Sequence, residues 1–169
     1  MSNFTYDAFG YNVKITESTG GVVTSTKQFI WCGNSRCEAR DASSNLTTQY
    51  YGFGQINYSG GVGTNYYYTK DHLGSVRELV DTSGNLIAQY NYSPYGVVTK
   101  VAGVSGIDSD FQYAGYYYHA PTGLNLTMYR AYSPSLGRFL TRDPIGYSGG
   151  NNLYGYVVIV SIYCGYAYR

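Results

Sequence analysis

Few residues of this chain are of types that could do chemistry, and most of them stand alone. Carboxylates that cut a peptide bond work in pairs, one as base on the water and one as acid on the carbonyl, sharing a proton. A neighbouring Arg can hold one of them ionised. Asp143 lies in Arg142-Asp143-Pro144-Ile145-Gly146, and no Asp follows it. Asp108 and Asp110 precede it. The same Asp143-Pro144 pair also reads as a plain turn, with Asp capping the backbone and Pro fixing φ. His72 follows Asp71 with neither partner nor nucleophile in view, which points to a surface or turn role, and His119 before Ala120-Pro121 reads the same way. Ser75, in Leu73-Gly74-Ser75-Val76, is not in a nucleophile elbow. Cys32 and Cys37 flank Gly33-Asn34-Ser35-Arg36. A bridge across such a loop and two unpaired thiols facing different sides are both open, and Cys164 has no evident partner. With 2 His in the chain and neither near a cysteine, the residues argue against a metal site, and no cofactor is implied.

These residues must be positioned by a tyrosine-rich repeat. Tyrosine accounts for 23 of 169 residues and glycine for 22, and many are locked together. Tyr6-Asp7-Ala8-Phe9-Gly10, Tyr50-Tyr51-Gly52-Phe53-Gly54 and Tyr92-Ser93-Pro94-Tyr95-Gly96 share an aromatic-x-x-x-Gly frame, and Lys70-Asp71-His72-Leu73-Gly74 keeps all but the aromatic. The glycines are 44, 20 and 22 residues apart, a period near 22 with one unit skipped or eroded. Such a period predicts an array of supersecondary units, none able to bury its apolar face alone.

The units read as β-hairpins. Asn12–Thr16 and Ile87–Tyr92 alternate with period two, and Phe29-Ile30-Trp31 and Tyr66–Thr69 are short aromatic or β-branched runs. Turn signals stand between them at Gly20-Gly21, Gly33-Asn34, Gly60-Gly61, Asp81–Asn85 and Thr122-Gly123. The fold class predicted is all-β with little or no helix, one short helical turn being expected near Ile107–Phe111 and an exposed loop over Val101–Asp110. Net charge +1 with 12% charged residues leaves no basic stripe for nucleic acid and no acidic tail. No signal peptide is read at Met1–Gly10, and the apolar run Val157–Cys164 falls well short of the roughly 20 residues of a membrane span.

The run Tyr66-Tyr67-Tyr68-Thr69-Lys70-Asp71-His72-Leu73-Gly74-Ser75-Val76-Arg77, then Asp81-x-x-Gly84-Asn85 and Tyr92-x-Pro94-Tyr95-Gly96, resembles the Rhs, or tyrosine–aspartate (YD) repeat, family. Gly115–Tyr118, Thr122-Gly123-Leu124, Tyr129–Pro134, Gly137–Gly146 and Asn151–Val157 are similar to its core domain in order and spacing. The resemblance implies an array of hairpins wound into a strip of a hollow β-shell, which encloses a variable C-terminal polypeptide, in most members a toxin. It implies partners in that polypeptide and in secretion-apparatus components, roles in bacterial competition, insecticidal toxin complexes or the cell surface, and a core domain that cuts its own chain with an Arg and two Asp. Arg130 and Asp143 match the Arg and the first Asp.

The chain departs from that pattern after Val157, where no second Asp-Pro-x-Gly appears. Residues 1–65 are therefore read as degenerate repeats, 66–157 as repeat plus core domain and 158–169 as a divergent tail. The function expected is structural encapsulation and delivery, without self-cleavage. Two rivals stay open. One is a surface module whose tyrosines bind carbohydrate or a cell-surface partner. The other is a self-processing aspartyl domain. An open strip of this length also predicts self-association through unpaired β edges.

Overall fold

The computed structural model describes Met1–Tyr156; the divergent tail predicted over 158–169 lies outside the described residues. Ten strands follow one another as an antiparallel meander, each paired with its neighbour in sequence. They are β1 (Ser2–Tyr6), β2 (Asn12–Thr19), β3 (Val22–Cys32), β4 (Ser35–Arg40), β5 (Leu46–Tyr51), β6 (Gly54–Ser59), β7 (Val62–Lys70), β8 (Val76–Val80), β9 (Leu86–Tyr92) and β10 (Val98–Gly103). The chain then crosses one face of this sheet and forms a second, smaller meander of β11 (Tyr117–His119), β12 (Leu124–Leu126), β13 (Ala131–Ser133) and β14 (Arg138–Phe139). The all-β expectation holds. Among the described residues helix is confined to two 3₁₀ turns, Tyr113–Gly115 and Gly146–Gly149.

One turn design recurs and explains the repeat. At Asp71, the carboxylate Oδ1 accepts from the backbone N–H of Leu73 (3.0 Å) and Ser75 (2.9 Å), and the Gly74 N–H returns to the Asp71 carbonyl. Asp7, Asp41 and Asp81 make the same pair of side-chain contacts two and four residues on. Ser93 reproduces the second with its hydroxyl. The fourth residue of the turn sits at positive φ, which favours Gly: 84° at Gly10, 83° at Gly74, 81° at Gly84.

This geometry corrects the repeat frame. Gly54 is not a turn glycine. It lies inside β6, and Tyr51 pairs with Gly54 across the tight Gly52-Phe53 hairpin. The eroded unit is instead Asp41-Ala42-Ser43-Ser44-Asn45, where Ser44 takes the glycine's place at φ 66°. Two other expectations are also corrected. The 3₁₀ turn falls at Tyr113–Gly115 rather than Ile107–Phe111. Val101–Asp110 is an exposed loop only in part: its start belongs to β10, and at its end Ser109 is 2% exposed.

Strand alternation puts one tyrosine face inward and the other out. Tyr50, Tyr66 and Tyr90 are buried, whereas their neighbours Tyr51 and Tyr67 are exposed. Three apolar clusters form the core, and the first ties the two sheets together. Ile15, Phe29, Ala39 and Tyr50 of the wall meet Tyr117 and Leu126 of the small sheet. Val76, Leu79, Ala88 and Tyr90 form a second group, and Tyr113, Tyr132 and Phe139 a third. Each fully buried large side chain contributes about 1.5–3 kcal/mol relative to exposure. Phe111 of the crossing segment packs against the first two clusters and Tyr92 of β9 against the last two, so the three are joined in series. β1 and β10 each pair on one side only.

Candidate functional site

Arg130 directly precedes β13 and is pinned by a local clamp. Thr127 donates from its backbone N–H and its hydroxyl to the Arg130 carbonyl, both at 2.9 Å, and its hydroxyl oxygen accepts from the Arg130 N–H. The guanidinium lies 3.7 Å from the Phe139 ring centroid, a close cation–π contact. Asp143 is fixed by the strand-like return of the chain, its N–H donating to the Leu153 carbonyl at 2.9 Å.

The two predicted residues meet. Arg130 Nη1 is 3.0 Å from Asp143 Oδ2, with both side chains largely buried. The oxygen sits off the N–H axis, so this is a close ion pair rather than an aligned hydrogen bond, and Nη1 has no hydrogen-bond acceptor. Asp143 also performs the turn role: Oδ1 accepts from the Ile145 N–H at 3.1 Å, and the Gly146 N–H returns to its carbonyl. The two readings of Asp143 are therefore compatible, one oxygen serving each.

Among the described residues no second carboxylate joins them. Asp108 binds Lys100 at 3.0 Å and accepts from the Tyr90 hydroxyl at 2.9 Å. Asp110 lies 3.4 Å from Lys27 and accepts from the Tyr50 hydroxyl. Both belong to the segment that crosses the inner face of the wall. Gln55 holds the same segment, donating to the Asp108 carbonyl and accepting from the Asp110 N–H. Sequence reasoning missed this docking role. The one signal was the i, i+2 spacing of two carboxylates in a stretch too apolar for a free loop. Burial and the neighbouring Asp110 charge raise the Tyr50 hydroxyl well above its ordinary pKa, so it remains a donor.

The remaining candidates resolve individually. His72 is exposed in the Asp71 turn, as expected. His119 is not at the surface. It is 5% exposed, with Nε2 2.8 Å from Glu17 and Nδ1 2.7 Å from the Thr122 hydroxyl, so it ties β2 to the turn after β11. Burial lowers its pKa despite the Glu17 contact. Ser75 is buried and its hydroxyl oxygen accepts from the Ala114 N–H. Cys32 and Cys37 form a disulfide, which settles the open choice between bridge and free thiols. Among the described residues no group of three or more His, Cys, Asp or Glu could hold a metal, and no helix is long and apolar enough to cross a membrane.

An antiparallel wall with capped Asp turns and a small sheet folded onto its inner face defines a β-shell segment. The chain belongs to the YD-shell family: a family model described as the teneurin YD-shell matches residues 41–154. This bears out the Rhs-type resemblance read from the motifs. The tRNA nuclease WapA of Bacillus subtilis is 32% identical over 158 residues, covering 90% of this chain and 7% of that protein. The toxin protein Tse5 of Pseudomonas aeruginosa is 33% identical over 92 residues, 54% of this chain and 7% of that protein. The crystal structure of TcdB2-TccC3 without its hypervariable C-terminal region superposes with a TM-score of 0.65 at 22% identity, over 92% of this chain and 8% of that one, which shows the shared fold. The chain thus spans under a tenth of the length of these proteins.

Proposed function

We propose that this chain is a stretch of the wall of an Rhs-type shell together with the inward-folded core segment, and that its role is to enclose and deliver a C-terminal polypeptide rather than to catalyse. The observation that carries this is the inner face itself. Hydroxyls of Tyr50, Tyr68 and Tyr90 point inward and hold, directly or through Gln55, a segment of chain laid across the sheet. That is how a wall presents itself to polypeptide inside it. On this reading the nuclease and toxin activities in the relatives' names belong to other parts of those much longer proteins. The enclosed polypeptide and the secretion machinery would be the partners.

Arg130 and Asp143 are read as half of the family's self-cleavage site, inactive for want of a second carboxylate. Intact mass spectrometry of the purified chain after prolonged incubation tests this. The expected result is the undivided chain of 18.7 kDa. A new N-terminus C-terminal to Gly146 would restore the self-processing reading.

One observation favours the surface-module rival. Tyr51, Phe53 and Tyr67 form an exposed stack on the outer face, with centroids 6.1 and 6.5 Å apart and planes within 19° and 11°. Flat aromatic strips of this kind can stack on sugars. A glycan-binding screen separates the two readings: the wall expects no specific sugar, while binding lost in Phe53→Ala would favour the rival.

A further inference from the structure

A cavity of about 410 Å³ opens between the turns after β3 and β5 and the edge of the small sheet. Its walls include the rings of Trp31, Tyr50, Tyr68 and Tyr117, and Lys70 lies among its lining residues. Arg36, also in that lining, is 5% exposed and has no carboxylate partner among the described residues. Its guanidinium carbon sits 4.7, 4.7 and 4.8 Å from the ring centroids of Phe29, Trp31 and Tyr117. Its one hydrogen bond is a long one, Nη2 donating to Asn12 Oδ1 at 3.4 Å, and its Nε has no acceptor.

The charges inside do not balance. Asp110 is the carboxylate that acts on Arg36, and it is already engaged by Lys27 and the Tyr50 hydroxyl. Lys27, a third exposed, already holds that anion, so the buried Arg36 is left without a carboxylate of its own. A buried, unpaired charge costs several kcal/mol, while each cation–π contact returns only about 0.5–2 kcal/mol. Burial lowers the Arg36 pKa to about 10, which still leaves it charged at neutral pH. A cavity lined by the cations of Arg36 and Lys70, with unused guanidinium donors and aromatic side chains in its walls, calls for an anion with an apolar body.

We propose that this cavity binds an organic carboxylate, paired with Arg36 and packed against Trp31 and the neighbouring tyrosines. A carboxylate matches the forked guanidinium of Arg36 and can carry an apolar body against the rings, which a bare inorganic anion would leave uncovered. The source is either a free small acid or an Asp or Glu side chain of a polypeptide lying along the inner face. Because the inference rests on charge and cavity alone, it stands apart from the enclosure reading.

Trp31 is the only tryptophan of the chain and lies against Arg36, so its fluorescence reports the site directly. The purified chain is titrated with sodium benzoate, with neutral benzamide, and with a capped glycine–serine peptide carrying a single Glu. The expected result is a saturable change with benzoate, the peptide or both, and at least roughly tenfold weaker binding of benzamide, the scale of one charge-assisted hydrogen bond. Response to benzoate alone assigns a small acid, and response to the peptide assigns a polypeptide. Arg36→Met keeps the apolar stem and breaks no ion pair, and it is expected to lose the response by the same factor while retaining the wild-type circular dichroism. Benzamide binding as tightly as benzoate, no saturable change with either acid, or undiminished binding by Arg36→Met overturns the proposal. Should Arg36→Met misfold, the benzoate-to-benzamide ratio on the wild-type chain decides alone.

Discussion

Arg130, just before β13, and Asp143, in the turn that follows β14, close to 3.0 Å, with the guanidinium also stacked on Phe139. Each Asp143 oxygen has a separate partner, which makes the pair separable by substitution. Asp143→Asn keeps an oxygen to cap the Ile145 N–H but abolishes the ion pair, leaving a largely buried Arg130 charge. Asp143→Ala removes both. Urea midpoints should fall in the order wild type, Asn, Ala, with the Asn variant less stable by about 1–3 kcal/mol. If the Asn and Ala variants match wild type, the ion pair has no structural role and the site must be reconsidered.

Much of the fold was legible because it is built from local rules. Asp81–Asn85 joins β8 to β9, the strand ends falling beside the predicted turn residues, since Asp, Gly and Asn each do a local backbone job there. The Asp41 unit was missed because Ser44 replaces the glycine and Arg40 the aromatic, so the pattern of letters vanished while the capping carboxylate remained. The inward path of Ile107–Gln112 was hidden for a different reason. Its contacts with Tyr50, Gln55 and Tyr90 span long stretches of sequence, and no local periodicity records them. For the site, Arg130 and Asp143 came from a resemblance and were found in contact, whereas the unpaired charge of Arg36 had no sequence signal at all.

Ser44 carries a positive φ of 66° that its four counterparts leave to glycine. A non-glycine residue there costs on the order of 1–2 kcal/mol, partly offset by the greater freedom glycine has when unfolded. Ser44→Gly should therefore stabilise the chain by about 0.5–1 kcal/mol. Gly74→Ala, at φ 83° in the equivalent turn, should destabilise it by a similar amount or more. Chemical denaturation of both variants checks the pair. Effects of the same sign would show that the two turns are not equivalent.

Gly54 is required by packing rather than by its backbone angle. A Cβ built there would collide with the Tyr66 carbonyl oxygen on β7, so the β6–β7 ladder would have to part. Gly52, two residues earlier in the hairpin, has nothing within 4 Å of the same position. Gly54→Ala should cost at least about 2 kcal/mol, the scale of a strained or overpacked core change, and Gly52→Ala less than about 1 kcal/mol. Thermal melts of the two variants make the comparison. A Gly54→Ala protein as stable as Gly52→Ala would mean that β6 and β7 are not held in this register.

The buried tyrosines set the alkaline limit of the fold. Burial is the main cause that pushes both Tyr117 and Tyr132 from the ordinary value of 10.0 up to about 12, and Tyr50, Tyr68 and Tyr90 are raised as well. An acid whose folded pKa is raised holds its proton longer in the native state than in the unfolded chain. Stability should therefore be flat with respect to these groups below the unfolded value near 10. It should fall as pH rises from about 10 to about 12, where the unfolded tyrosines ionise and the folded ones do not. Tyr132 lies at the centre of the third cluster, its hydroxyl donating to the Tyr95 carbonyl at 2.9 Å. Tyr132→Phe should lower stability near neutral pH, by about 1 kcal/mol for the lost hydrogen bond, yet flatten the alkaline slope. Denaturant midpoints measured across this range, alongside tyrosinate absorbance, test both halves. A midpoint independent of pH, or tyrosinate absorbance that reaches its full value for all 23 tyrosines before the native circular dichroism is lost, would place these hydroxyls in contact with water.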